Sequence, residues 1–357
     1  MPPADTPTQE APRSSDRRSW RDRFLDALVW SYGLVLVAVL ITRYGLGDRT
    51  WWSFAANALL LYAFLPAPVI LLAVALRRRR EGYAIVGLSA LLFAWLWGGL
   101  FVPRGGTAQA TENALRVMSY NTLGFNPNTA ATIRVIREVD ADIVALQEVT
   151  PEHAAALEQA LSERYPYRLL DARPGVTGSG LLSRHPLRKV DASPLDRIAW
   201  IGTPMVVELD IGTEHVTFVN FHTVAGPANA RARDEQARAL SDFAAAHVGP
   251  LIFAGDLNAT DQNAAHAIVT RVMRDAFRDA GWGFGHTFPG EPTPERGGSR
   301  PVLLGVPVPT WLVRIDYIFH SNALETIDAR LGPGDGGSDH RPVVATLSFR
   351  HAPSRDR

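Results

Sequence analysis

Hydrophobic and polar positions divide this chain into two unlike parts. Three apolar runs fill the first hundred residues, at about Leu25–Thr42, Trp51–Leu76 and Tyr83–Val102. Each is long enough to cross a hydrocarbon layer as a helix. Pro66 and Pro68 in the second run predict a kink, which a membrane helix tolerates. Beyond Val102 the apolar runs shorten and alternate with polar stretches. Strands are predicted at Val117–Asn121, Ile143–Leu146, Gly180–Ser183, Val206–Ile211, His215–Phe221, Leu251–Ala254, Val313–Phe319 (interrupted by Asp316) and Val343–Phe349. Helical spacing predicts Thr129–Val139, a helix opened by Pro151, then Ala228–Ala246 and Ala264–Ala280. Strands alternate with helices, yet Gly212-Thr213 reads as a hairpin turn. The pattern therefore predicts an α/β domain of mixed sheets with outer helices.

These shifts set the expected organisation. Residues 1–23, rich in Pro, Ser, Asp and Arg, read as a disordered tail; 24–102 form a three-helix transmembrane region; 103–115 are a linker; 116–350 fold as one domain; 351–357 are a tail. Arg13, Arg17, Arg18, Arg21 and Arg23 crowd the N-terminus, and Arg77–Arg80 separate the second and third runs. Basic flanks stay on the cytoplasmic side, so three crossings put everything after Val102 outside the cell membrane. Trp51 and Trp52 stand where an aromatic belt would place them. A cleaved signal peptide is a poor account, because two further spans follow the first.

The chain has no cysteine, which excludes disulfides, zinc–thiolate sites and a cysteine nucleophile. It also lacks a GxGxxG motif, a P-loop and a GxSxG turn. What stands out are polar residues at the ends of apolar segments: Asn121, Glu148, His222, Asp256 with Asn258, Asp316, and Asp339 with His340. Scattered through a core, such groups are costly. Gathered at one sheet edge, they satisfy one another, a metal and water.

Met118-Ser119-Tyr120-Asn121, Leu146-Gln147-Glu148-Val149, Gly255-Asp256-Leu257-Asn258, Arg314-Ile315-Asp316-Tyr317 and Ser338-Asp339-His340-Arg341-Pro342 resemble, in order, the signature blocks of the endonuclease/exonuclease/phosphatase (DNase I-like) superfamily. The resemblance covers Arg116 to Arg350 and implies a four-layered α/β sandwich, two sheets face to face with helices outside. It implies Glu148 as the main ligand of Mg²⁺ (or Mn²⁺), with Asn121 and Asp339 assisting. His340 is the implied base toward water and Asp316 the acid that orients it. Asp256 stands beside the phosphate, Asn258 holds a non-bridging oxygen, and His222 donates to the phosphoryl group. The reaction so implied is in-line attack of water on phosphorus without a covalent protein intermediate.

The membrane segments resemble those of small membrane-anchored bacterial members of the superfamily. Such an anchor keeps phospholipids and lipid-linked phosphates at high effective concentration. Residues 116–350 carry 22 basic and 27 acidic side chains, net −5, with no dense basic stripe, which disfavours nucleic acid. A lipid-linked or other phosphate ester is the expected substrate. Alternatives are an extracytoplasmic nuclease and a non-catalytic binder of phosphorylated surface polymer. The Gly281–Pro309 loop, with Trp282, Phe284 and Phe288, is expected to lie against lipid, to cover the site, or to pack on its own sheet.

Overall fold

The computed structural model describes residues 19–77, 80–102, 114–193, 195–291, 302–303 and 305–350. Most of the N-terminal tail, the 103–113 part of the linker, the C-terminal tail and the middle of the 281–309 loop lie outside these residues.

The chain begins with α1 (Trp20–Leu40). Ser19 and Asp22 form a reciprocal capping box, so residues 20–23 are helical rather than part of a disordered tail. A π-helical turn extends α1 to Leu46. Then come α2 (Trp51–Ala58), a 3₁₀ turn at Leu60–Phe64, α3 (Ala67–Arg77), α4 (Arg80–Trp97) and a 3₁₀ turn at Gly98–Phe101. Two helices, Trp20–Leu46 and Arg80–Phe101, are long and apolar enough to cross a membrane. The second run is not one kinked helix. It bends by 62° between Trp51–Ala58 and Leu60–Leu76, before the prolines are reached.

The bend accompanies a docking contact. In α2, Ser53, Phe54 and Asn57 are buried while Trp51 and Trp52 stay exposed. Phe54 enters an apolar core with Ala230 and Leu257 of the following domain, and the Arg233 guanidinium lies 4.5 Å over its ring. Burying one such side chain contributes about 1.5–3 kcal/mol. Asp48, in the loop before α2, accepts from Asn57 Nδ2 at 2.7 Å, Asn263 Nδ2 at 3.1 Å and the Ala264 amide at 2.6 Å. A carboxylate from the anchor thus caps a helix of the domain.

The domain contains β1 (Leu115–Asn121), α5 (Thr129–Val139), β2 (Ile143–Gln147), α6 (Pro151–Leu161), β3 (Tyr167–Asp171), β4 (Ser179–Ser183), β5 (Leu187–Lys189), β6 (Met205–Ile211), β7 (Glu214–His222), α7 (Ala230–Ala246), β8 (Leu251–Asp256), α8 (Ala264–Val269), β9 (Arg274–Asp275), α9 (Ala276–Ala280), β10 (Val302–Leu303), β11 (Val306–Pro307), β12 (Asp316–His320), β13 (Leu324–Leu331) and β14 (Val343–Phe349). One sheet has the order β13-β14-β1-β2-β4-β3 and the other β5-β6-β7-β8-β12-β9. In each, a single parallel pair, β1 with β2 and β7 with β8, lies among antiparallel neighbours. Val117, Ala145, Phe218 and Ile252 fill the space between the sheets. α5 and α6 cover one sheet and α7 and α8 the other, which is the expected layered mixed-sheet α/β architecture.

Two local expectations fail for tertiary reasons. The helix expected over Ala264–Ala280 is broken, because Asp275 pairs with Phe319 of β12 and its side chain then caps α9. The strand expected from Val313 starts only at Asp316, since Val313 forms an isolated bridge with Phe288. β3, β5, β9 and β13 went unpredicted; β13, LETIDARL, is half exposed and shows little alternation.

Candidate active site

Register builds the site. His222, Asp256 and Asp316 are directly paired across β7, β8 and β12, so their side chains leave one sheet on the same face. Gly255 makes this possible: a Cβ there would stand 2.0 Å from the Phe221 carbonyl oxygen. From the other sheet, Asn121 at the end of β1 reaches across. Its Nδ2 donates to Glu148 Oε1 at 3.0 Å and to Asp256 Oδ2 at 3.2 Å. One amide therefore joins two carboxylates from two sheets.

Glu148 follows β2 with φ +60, a left-handed conformation that a non-glycine residue adopts at a cost of about 1–2 kcal/mol. The turn aims the carboxylate inward, where the Gly124 amide donates to Oε2 at 2.8 Å. Asn258 is also left-handed, φ +49. Its amide donates to Asp256 Oδ1 at 2.7 Å, while its own Nδ2 donates to the Thr223 carbonyl at 3.0 Å.

His340 closes the cluster. Its Nδ1 lies 2.9 Å from Asp316 Oδ2, and both side chains are buried. Nε2 stands 3.9 Å from Asp256 Oδ2 and 3.9 Å from Asp339 Oδ1, beyond hydrogen-bond range of either. Burial opposes a charged imidazole, but Asp316, then Asp256 and Asp339, outweigh it and hold His340 well above the ordinary histidine range. Burial likewise opposes ionisation of Asp256, yet the hydrogen bond from His222 and the charge of His340 keep its carboxyl below the usual carboxylate range. His222 Nε2 is 3.4 Å from Asp256 Oδ2, and its Nδ1 has no partner among the described residues.

The structure thus gathers Asn121, Glu148, His222, Asp256, Asp316 and His340. Asn258 borders them with its amide turned toward Thr223. Asp339 sits on the rim, its side chain 34% exposed. Ligand atoms of Asp256, Asp316 and His340 lie within 4.8 Å of one another, close enough to share a metal ion. Glu148 meets this group through Asn121.

Several supporting residues had no role assigned from the sequence. Ser338 Oγ donates to the Asn121 carbonyl at 2.7 Å and accepts from the His340 amide at 3.0 Å, tying the last turn to β1. Thr287 Oγ1 accepts from the Ile315 amide at 3.1 Å. The Phe288 ring packs on His340 at 4.9 Å, and Arg341 lies 3.8 Å over Trp311. Thr287, Phe288 and Trp311 come from a stretch without periodicity, Ser338 and Arg341 from the turn before β14.

A second His–Asp pair invites confusion with the first. His266 Nε2 is 2.9 Å from Asp275 Oδ2, but Arg314 also holds Asp275 at 3.0 and 2.8 Å. Tyr317 and Phe319 cover the His266 ring. Burial works against ionised Asp275, and Arg314 with His266 overcomes it, pulling the carboxyl far below its usual range. This cluster is buried and held by Arg314, although His266 and Asp275 also border a groove of about 540 Å³ with Arg274 and Arg278.

The profile of the Endonuclease/Exonuclease/phosphatase family matches residues 118–340. Solved structures share the fold. A D. rerio TDP2 humanized by 14 mutations aligns with TM-score 0.52 and 16% identity over 67% of this chain and 100% of its own. The endonuclease/exonuclease/phosphatase from Bacteroides vulgatus aligns with TM-score 0.51 and 20% identity over 67% and 100%. D. rerio TDP2 complexed with a single-strand DNA product aligns with TM-score 0.51 and 17% identity over 67% and 100%. No curated protein matches the sequence.

Proposed function

The chain belongs to the endonuclease/exonuclease/phosphatase family, whose members are generally hydrolases of phosphoesters, and from that premise we propose that it is a membrane-anchored, extracytoplasmic, divalent-metal-dependent phosphoesterase acting on a lipid-linked phosphate or related ester. The observation that carries this reading is the His340–Asp316 pair with its free Nε2, set beside Asp256 and the Asn121–Glu148 pair.

The donor set fits a hard cation. Glu148, Asp256 and Asp339 offer carboxylate oxygens and Asn121 an amide, the ligands Mg²⁺ or Mn²⁺ prefers. Glu148 would hold the ion, with Asn121 and Asp339 assisting. The His340–Asp316 contact is a less fitting place, because a nitrogen ligand suits softer metals. When bound, the ion neutralises charge developing on a phosphoryl oxygen.

The protein's own groups supply the rest. Asp316 holds the proton on His340 Nδ1, leaving Nε2 to take one from the attacking water. Asp256, kept ionised by His222 and His340, orders that water, and the leaving oxygen takes its proton from solvent. His222 and Asn258 donate to the non-bridging oxygens, where negative charge builds in the transition state.

The location rests on the helices and the arginines. Arg43 donates to the Gln262 carbonyl and Arg278 to that of Leu96. The C-terminal ends of α1 and α4 therefore lie beside the domain, and Ser19 is about 30 Å away along α1. With the bent segment counted as one span, Arg21, Arg23 and Arg80 share the far side, which the positive-inside preference makes cytoplasmic. A reporter active only in the cytoplasm should be silent when fused after Phe349 and active after Arg80. Signal from the first fusion would overturn the topology.

The activity test uses the purified full chain, offered phosphatidic acid, a polyprenyl phosphate, single- and double-stranded DNA and bis-p-nitrophenyl phosphate. Phosphate-ester cleavage should vanish on chelation, and Glu148→Gln should raise the metal concentration needed for half-maximal rate about tenfold or more. An unchanged metal titration would remove Glu148 from the ligand set. DNA cleaved faster than every lipid would favour the nuclease reading, which the DNA-bound D. rerio structure keeps in view.

A further inference from the structure

α3 and α4 do not pack evenly. Near their connecting turn they touch closely: a Cβ added to Gly82 would stand 2.6 Å from a Val74 methyl. Toward the catalytic domain they separate around a groove of about 700 Å³, walled by Leu61, Leu71, Val86, Ala90, Phe93 and Phe284, among others. That volume lies within the range of about 300–1,000 Å³ typical of ligand sites. Phe284 and His286 of the 281–289 loop form its wall on the domain side.

The groove's polar side chains are already engaged. Tyr62 Oη donates to the Leu312 carbonyl at 2.6 Å, Ser89 Oγ pairs with Tyr32 Oη at 2.6 Å, and His286 Nδ1 lies 2.7 Å from the Trp311 carbonyl. What fills such a space is hydrocarbon. The wall also leads to the chemistry. His286 in the groove is two residues from Phe288, whose ring lies 4.9 Å from that of His340. Two residues of chain span at most about 7 Å. Leu312, bonded to Tyr62, is four residues before Asp316, and Phe284 packs against Phe93 and Trp97 of α4. The helices thus abut the loops that carry the catalytic strand ends.

We propose that the α3–α4 groove holds the hydrocarbon chain of a phosphate-bearing membrane lipid and directs its head group past Phe288 to His340. The proposal rests on the reading of the site as a phosphoesterase and names its substrate class. A groove opening sideways into the bilayer takes the chain without removing it from an apolar medium, so selectivity comes from the head.

The test is photolabelling of the full chain in phosphatidylcholine nanodiscs with hexadecyl phosphate bearing a terminal diazirine. Label should concentrate on groove residues such as Leu71, Ala90 and Phe93. Unlabelled hexadecyl phosphate should compete at least tenfold better than hexadecanol. Ala90→Phe should cut groove labelling at least fivefold, whereas Leu91→Phe, on an exposed position of α4, should not, with melting temperatures checked for both. Even labelling over the helices, or equal competition by the alcohol, would overturn the groove. Concentrated labelling without phosphate release from any ester would leave the groove standing and sink the phosphoesterase reading instead.

Discussion

His340→Ala should lower kcat per folded molecule by about 10²–10⁴-fold, the range general-base catalysis contributes. Asp316→Asn keeps shape but removes the charge that holds the Nδ1 proton 2.9 Å away. The double mutant should be far less impaired than the product of the single losses, because both changes disable one unit. A fully multiplicative loss would move the base elsewhere, most plausibly to Asp256. The pH profile gives a second reading. The base works only when neutral, so the rate rises as pH climbs through its pKa. Nearby carboxylates, Asp316 foremost, lift His340 well above the ordinary value. The acid limb of the wild-type profile should therefore lie above about pH 6.5, and the residual activity of Asp316→Asn should show that limb at lower pH.

Arg314→Met should do the reverse: spare the rate per folded molecule and collapse stability. It leaves Asp275, which is 4% exposed, without its main counter-charge. Breaking a buried pair in this way costs about 3–5 kcal/mol, or roughly 10 °C in Tm for a domain of this size. Because Asp275 ionises far more readily folded than unfolded, its contribution is complete above the unfolded value of about 3.9. It fades as pH falls from there toward the folded value. The Tm gap between wild type and variant should narrow accordingly in acid. A variant that melts normally but loses turnover would make the Arg314 cluster part of the chemistry.

The paired forecasts expose what local sequence could not distinguish. His340 precedes an Arg-Pro and His266 lies in an apolar helix; the first finds an aspartate 24 residues away and the second one nine residues away. Only strand order decides which pair stands beside Asn121 and Asp256 and which lies under Tyr317 and Phe319. Strand register does similar work at His222, Asp256 and Asp316: each ends or begins an apolar run, but their alignment in one row is a property of β7, β8 and β12 together.

Sequence by itself determined what depends on neighbours within a few residues. The apolar lengths marked the helices able to cross a membrane, the short runs marked the central strands, and polar residues at their ends marked Asn121, Glu148, Asp256 and Asp316. Edge strands such as β13 escaped, since one open side removes the alternation that burial imposes. Tertiary structure decided whatever depends on partners distant in the chain. Phe54 reads as part of a membrane run and Asp48 as part of the short loop before it, yet Asp48 caps a helix of the following domain and Phe54 completes its core. Phe284 and Phe288 sit in a loop with no pattern, yet one closes a groove and the other packs on His340. Periodicity reports that a side chain is buried; the long-range contacts that satisfy it are set by how the sheets and helices close on one another.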